Sequence, residues 1–181
     1  MKLRSARTLA TRRVYDGGRV SLRVDRVQLD GRPAAEREIV EHKGSVVIVP
    51  QTDRGTVLLV RQWRYPIGRV LLEAPAGTMD KGNEDPETTA QRELREETGH
   101  RADRLVRLPG FWVSPGWCTE YMHAFLATGL HPEPLPQDVD EDVRVEETPL
   151  SKVPDLVRSG EIQDAKTIAA LLCAIHLTGK S

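Results

Sequence analysis

Three glutamates crowd one short segment, Arg92-Glu93-Leu94-Arg95-Glu96-Glu97-Thr98-Gly99. On a helix, Glu93 and Glu97 stand one turn apart on the same face, with Glu96 close beside them. Like charges at that spacing repel, costing the helix roughly a few tenths of a kcal/mol per pair. Such a cluster becomes favourable when divalent cations sit between the carboxylates, and oxygen-only ligands favour hard ions such as Mg²⁺ or Mn²⁺ over zinc. The plainer reading is a solvated acidic face in which Arg92 and Arg95 offset the glutamates. Two features argue against it: a glycine-bearing loop, Gly77 to Glu84, precedes Arg92 at a fixed distance, and Gly99 closes the segment.

The elements that must position these carboxylates can be read around them. Asp85 is a good N-cap, Pro86 suits the first helical position and Gly99 is a natural stop, so a helix is expected between them. Upstream, Ser21 to Leu29 alternates polar and apolar residues as a half-buried strand does, and Asp30 to Pro33 turns it back into a strand over Ala35 to Val40. Ser45 to Pro50 is a β-branched run suited to a strand buried on both faces. Thr52 to Gly55 is a turn before a strand over Thr56 to Trp63, and Val70 to Ala74 is a short strand entering the glycine loop. Downstream, strands are expected over Leu105 to Val113, Met122 to Ala127 and Val143 to Thr148, with a proline- and acid-rich loop from Thr128 to Asp142. Leu150 to Ser159 and Asp164 to Leu177 read as helices. This order predicts an α/β domain with helices packed on a mixed sheet.

With 181 residues, 39% hydrophobic and 29% charged, the chain can build the core of one domain and is unlike a disordered segment. A formal net charge of −1 gives no global basic field that would attract nucleic acid. No apolar run approaches the roughly 18 residues of a membrane span. The Arg-rich start lacks an apolar signal core, so it reads as part of the mature protein. Two cysteines, Cys118 and Cys173, without a paired spacing suggest a reduced, cytoplasmic setting. The histidines His42, His100, His123, His131 and His176 share no ligand spacing, and nothing beside Cys118 suggests an activated thiolate.

The segment from Gly77 to Gly99 resembles the Nudix box, G-x5-E-x7-R-E-U-x-E-E-x-G-U with U a bulky apolar residue. Glu84, Arg92, Glu93, Leu94, Glu96, Glu97 and Gly99 match it in register. Two departures are a sixth residue between Gly77 and Glu84, around Asn83, and His100 in the last position. The resemblance implies an α/β/α sandwich around a mixed sheet, with N-terminal antiparallel strands over residues 1–42 and the Nudix domain over 43–181. It makes Glu93, Glu96 and Glu97 ligands of Mg²⁺ or Mn²⁺, with the Ala76 carbonyl contributing, and gives Arg92 a supporting role through a carboxylate such as Glu84.

Other segments are similar to the ADP-ribose pyrophosphatase branch of that family: Arg61 to Pro66 (RQWRYP), Glu73 to Gly77 (EAPAG), Ser114-Pro115-Gly116 followed by Glu120, and Gly160 to Ile168. The resemblance implies a nucleoside diphosphate sugar as substrate, ADP-ribose first. Trp63 offers an aromatic face to adenine, and Arg61 or Arg64 could pair with phosphate oxygens, alongside Glu73, Gly116 and Glu120. Trp63 and Tyr65 could equally anchor a strand. A general base is expected among Asp138, Asp140, Glu141 and Asp142, with Glu141 the choice. The branch further implies a homodimer in which strands from about Arg13 to Val40 help form the partner's pocket. They could also extend their own sheet. The competing readings are a GDP-mannose pyrophosphatase, a non-catalytic nucleotide sensor, disfavoured by the intact glutamates, and an RNA-cap hydrolase, disfavoured by the near-neutral charge.

Overall fold

The alternating run expected from Ser21 to Leu29 is the middle strand of a three-stranded antiparallel sheet. Its strands are β1 (Ala6–Asp16), β2 (Val20–Leu29) and β3 (Ala35–His42), in that spatial order. The computed structural model describes residues 5–82, 84–137 and 142–178. Strand β1 has no counterpart among the sequence expectations, for a physical reason. All eleven of its residues are exposed, and irregularities between Thr8 and Ala10 and between Arg13 and Tyr15 break the period of two that marks a half-buried strand. The chain divides into two compact units, and this sheet with Trp112–Tyr121 makes up the first, ending at Gly44.

The second unit holds β4 (Ser45–Pro50), β5 (Thr56–Arg64), β6 (Arg69–Glu73), β7 (Ala76–Thr78), α1 (Pro86–Thr98) and β8 (His100–Arg107). The short β9 (Phe111–Trp112) precedes β10 (Tyr121–Pro132), and β11 (Val143–Pro149), α2 (Val153–Ser159) and α3 (Ala165–Thr178) complete the chain. The central sheet runs β7-β4-β10-β8 and is mixed: β4 and β10 are parallel, while β7 and β8 pair antiparallel to their neighbours. A second, antiparallel sheet runs β11-β5-β6.

Strand β4 shows why helices cover both faces of the mixed sheet. Every residue of it is buried. Val46 and Ile48 pack with Ala90 and Leu94 of α1 and with Phe125. Val47 and Val49 point the other way, into a cluster with Leu59, Leu72, Val153 and the α3 residues Ala170, Leu171 and Ala174. A strand with apolar side chains on both faces can be satisfied only between two layers. The α/β/α arrangement around a mixed sheet follows, and no described helix is long and apolar enough to cross a membrane.

Several boundaries differ from the expectations, and the strand expected over Leu105 to Val113 is broken into β8, which ends at Arg107, and the short β9. β8 begins at His100 instead of Leu105, and β10 continues to Pro132 instead of yielding to a loop after Ala127. The two extensions pair with each other, Leu130 opposite Ala102 and Pro132 opposite His100. β8 lies at the sheet edge, where charged side chains face water and the backbone ladder holds the strand without an apolar pattern. The glycine loop, in turn, starts as the strand β7, because Val46 and Val47 pair with Gly77 and Ala76.

Candidate active site

Helix α1 begins where its caps place it. The Asp85 carboxylate accepts hydrogen bonds from the Glu87 and Thr88 amides, both 2.9 Å. Gly99 ends the helix at φ 72°, a left-handed conformation that glycine adopts without a Cβ penalty. The Thr88 amide, the Thr88 hydroxyl and the Glu87 amide together hold the Asp85 carboxyl below its ordinary range, slight burial opposing them.

Between these caps the buried residues are Thr89, Ala90, Glu93, Leu94, Glu97 and Thr98. Glu93 and Glu97 therefore ride on the border of the apolar stripe, only 7% and 4% exposed. A buried carboxylate needs compensation. Glu93 lies directly on β7: a Cβ built on Gly77 would sit 2.0 Å from the Glu93 Cδ and Oε1 atoms. Gly77 is thus required by space, since the carboxylate occupies the volume a side chain would fill. Ala76, half-buried, precedes it on the same strand.

Arg92 gathers the remaining acids. Its Nε donates to Glu84 Oε2 at 3.2 Å, and its Nη1 donates to Glu93 Oε1 at 2.6 Å and to Glu96 Oε2 at 2.9 Å. Lys81 Nζ reaches Glu96 Oε1 at 3.3 Å. Burial alone would lower the Arg92 pKa, but Glu93 and Glu96 outweigh it and hold the guanidinium firmly charged. Glu84 also accepts from the Thr89 hydroxyl at 3.2 Å, so the extra residue upstream leaves it at the helix. Among the described residues no three His, Cys, Asp or Glu side chains converge as a closed metal cage. The donor set is nonetheless of the kind a hard divalent cation takes: it consists of carboxylate oxygens largely shielded from water, with Glu93 seated in the space that the missing Gly77 side chain leaves.

The substrate candidates of the second unit lie on β5 and β6. Trp63 is 56% exposed, leaving its ring face accessible, and Tyr65 is more exposed still. Arg61 donates from Nε to Glu146 at 2.6 Å and from Nη2 to Glu161 at 2.7 Å. Arg64 grips Glu73 with a two-pronged bond, Nε to Oε1 at 2.8 Å and Nη2 to Oε2 at 2.7 Å. Glu73, 1% exposed, also pairs closely with Lys166. Its burial would raise the carboxyl pKa, but Arg64 and Lys166 outweigh this and hold it below the ordinary range. Glu73 therefore meets protein cations instead of open solvent. Lys166, Glu146 and Glu161 were not among the site residues read from sequence. Glu161 and Lys166 lie within the Gly160 to Ile168 segment, whose resemblance assigned them no role, and the Asp164-x-x-Thr167 capping spacing points to the first turn of α3, where Asp164 accepts from the Thr167 amide at 2.9 Å.

Gly116 and Glu120 belong to the first unit, on a loop that β3 holds in place. The Val40 amide donates to the Trp117 carbonyl at 2.8 Å, and the Thr119 amide donates back to Val40 at 2.9 Å. Gly116 is exposed, and Glu120 lies 4.0 Å from His42 Nδ1. Trp112 packs edge-on against Tyr121 at 5.0 Å, as a structural aromatic pair does. Of the candidate bases, Asp142 is exposed, while Asp138, Asp140 and Glu141 lie outside the described residues.

The chain can now be set beside known proteins. It is 41% identical to the ADP-ribose pyrophosphatase of Bacillus subtilis (strain 168), over 94% of this chain and 93% of that protein. It is 36% identical to the methanol dehydrogenase activator of Bacillus methanolicus, over 94% and 92%. Identity to the GDP-mannose pyrophosphatase of Yersinia enterocolitica serotype O:8 is 35% and covers less, 77% of this chain and 78% of that protein. Among solved structures, a crystal structure of an ADP compounds hydrolase superposes with a TM-score of 0.88, covering 100% of this chain and 98% of the other at 24% identity. That likeness establishes the fold. The NUDIX domain profile matches residues 34–171, a stretch containing the whole acidic helix and the strands around it, and the chain therefore belongs to the NUDIX family.

Proposed function

We propose that this protein hydrolyses the pyrophosphate bond of ADP-ribose, releasing AMP and ribose 5-phosphate, with Mg²⁺ or Mn²⁺ as cofactor. The observation that carries the reading is the buried carboxylate pair Glu93 and Glu97, with Glu93 seated against Gly77, in a chain alike over nearly its full length to an ADP-ribose pyrophosphatase. Glu93, Glu96 and Glu97, with the Ala76 carbonyl, would hold the ions. Bound divalent cations neutralise the bridging phosphates and lower the pKa of the attacking water. Arg92 keeps the three acids and Glu84 in one geometry, so that they need not reorganise around each substrate. Arg64 retains guanidinium hydrogens not used by Glu73 and offers them to phosphate oxygens, while Trp63 stacks on adenine. Arg61 gives phosphate contact only by leaving Glu146 or Glu161, so Arg64 is the better donor. Gly116 and Glu120 are proposed as further substrate contacts, and Glu141 takes the proton from water.

The assembly proposed is a homodimer with an exchanged N-terminal region, residues 1–42, joined to the hydrolase region 43–181. Exposure of all of β1, with Leu9, Val14 and Tyr15 open to solvent, supports it. The proposed setting is the cytoplasm, in keeping with the free cysteines Cys118 and Cys173.

Phosphate-coupled turnover with Mg²⁺ across ADP-ribose, GDP-mannose, ADP-glucose, NADH, diadenosine polyphosphates and ATP tests the substrate. ADP-ribose is expected to give the highest kcat/KM. Best turnover of GDP-mannose would move the protein to the second reading, which the Yersinia relative favours, and would withdraw the adenine role of Trp63. No turnover of any substrate would favour a nucleotide sensor.

A further inference from the structure

The family motif leaves the first turn of α3 without a role, yet one of its side chains reaches the buried acid beneath Arg64. Lys166 Nζ pairs closely with Glu73 and lies 2.9 Å from Asp164 Oδ2. Asp164 caps α3 through the Thr167 amide and hydroxyl. The Thr167 hydroxyl in turn accepts from the Ala74 amide at 2.8 Å, and Ala74 follows Glu73 in the chain. These contacts close a ring: Glu73, Lys166, Asp164, Thr167, Ala74 and back to Glu73.

We infer that Lys166 is a positioning residue for substrate binding, locking Glu73 so that the bidentate Glu73–Arg64 pair presents the free edge of the Arg64 guanidinium to the substrate diphosphate. The inference rests on the reading of Arg64 as a phosphate ligand. The geometry supports each link. Glu73 consumes Arg64 Nε and one Nη2 hydrogen, leaving Nη1 and the other Nη2 hydrogen. A carboxylate with only Arg64 as partner could follow that long side chain as it moved. Held also by Lys166, which is anchored to a helix N-terminus, it cannot. Lys166 further adds positive charge beside a guanidinium that Glu73 would otherwise neutralise. Arg64 is also within reach of the Glu97 charge, so its orientation bears on the acidic helix as well. Partners that orient metal ligands cost about 10- to 100-fold in metal affinity or activity when removed, and a loss of that order is expected for a support of Arg64.

The test is calorimetric binding of ADP-ribose in EDTA, which reads Arg64 without metal or turnover, for wild type, R64A, K166Q, K166R and the R64A/K166Q double variant, with Tm measured for each. K166Q is expected to weaken binding by about 10-fold, with K166R recovering most of it. The double variant is expected to bind no more weakly than R64A, because Lys166 acts through Arg64. Wild-type affinity in K166Q, or additive losses in the double variant, would overturn the inference while leaving Arg64 a ligand. Unchanged affinity in R64A would instead remove Arg64 from the substrate site and the inference with it. Should K166Q fail to fold, K166M, which keeps the chain length and removes the charge, takes its place, and wild-type affinity in it would overturn the inference.

Discussion

At the scale of single residues, the site is governed by how carboxylates are kept charged where water is scarce. Glu93 and Glu97 are buried beside an apolar stripe, and Arg92 supplies charge-assisted hydrogen bonds to Glu93, Glu96 and Glu84. Removing Arg92 would leave those acids facing each other, so its task is structural support of the ligands. Glu141 belongs to a different class of residue: it is proposed to move a proton and to hold no ion. The E141Q protein should accordingly keep its affinity for Mg²⁺ and ADP-ribose while kcat falls by about 10²- to 10⁴-fold, as loss of a general base does. Single-turnover kinetics alongside equilibrium binding checks this, and full activity in E141Q would take Glu141 out of the mechanism.

The contact between α1 and β7 governs the site at the scale of elements. Gly77 has ordinary backbone angles, so the requirement for glycine there is volume alone. G77A should force Glu93 off its seat and destabilise the protein by about 1–3 kcal/mol, the usual cost of overpacking. Thermal denaturation should show the lowered Tm, and Mg²⁺-dependent turnover should fall further than the Tm shift accounts for. A G77A protein with wild-type activity would mean that Glu93 need not lie on that strand. The helix was legible in the sequence because Asp85, Pro86 and Gly99 act locally, each through a nearby backbone group. β4 was legible because a short β-branched run buried on both faces has one structural outcome. β1 and the start of β8 were not, because backbone ladders to β2 and β10 hold them, and exposed or edge strands carry no apolar alternation. The acidic cluster announced itself by spacing, whereas the Glu73–Lys166 pair joins residues 93 positions apart that no local pattern connects.

For the whole molecule, the chain divides into two compact units, with Trp63, Arg64 and the acidic helix in one and Gly116 and Glu120 in the other. The proposed exchange of N-terminal strands between two copies makes a definite prediction for the intact chain. Sedimentation or light scattering should give twice the 20.2 kDa chain mass, and a monomer at assay concentration would contradict the exchanged dimer. The central claim, that Glu93 and Glu97 carry metal-dependent pyrophosphate chemistry, is tested most directly by one comparison: a Mg²⁺ titration of ADP-ribose hydrolysis in wild type and E97Q, both shown to be folded. The account predicts that wild-type turnover depends on Mg²⁺ and that E97Q loses more than about 10²-fold in kcat, beyond what a supporting residue costs. Equal Mg²⁺-dependent turnover in the two proteins would contradict it.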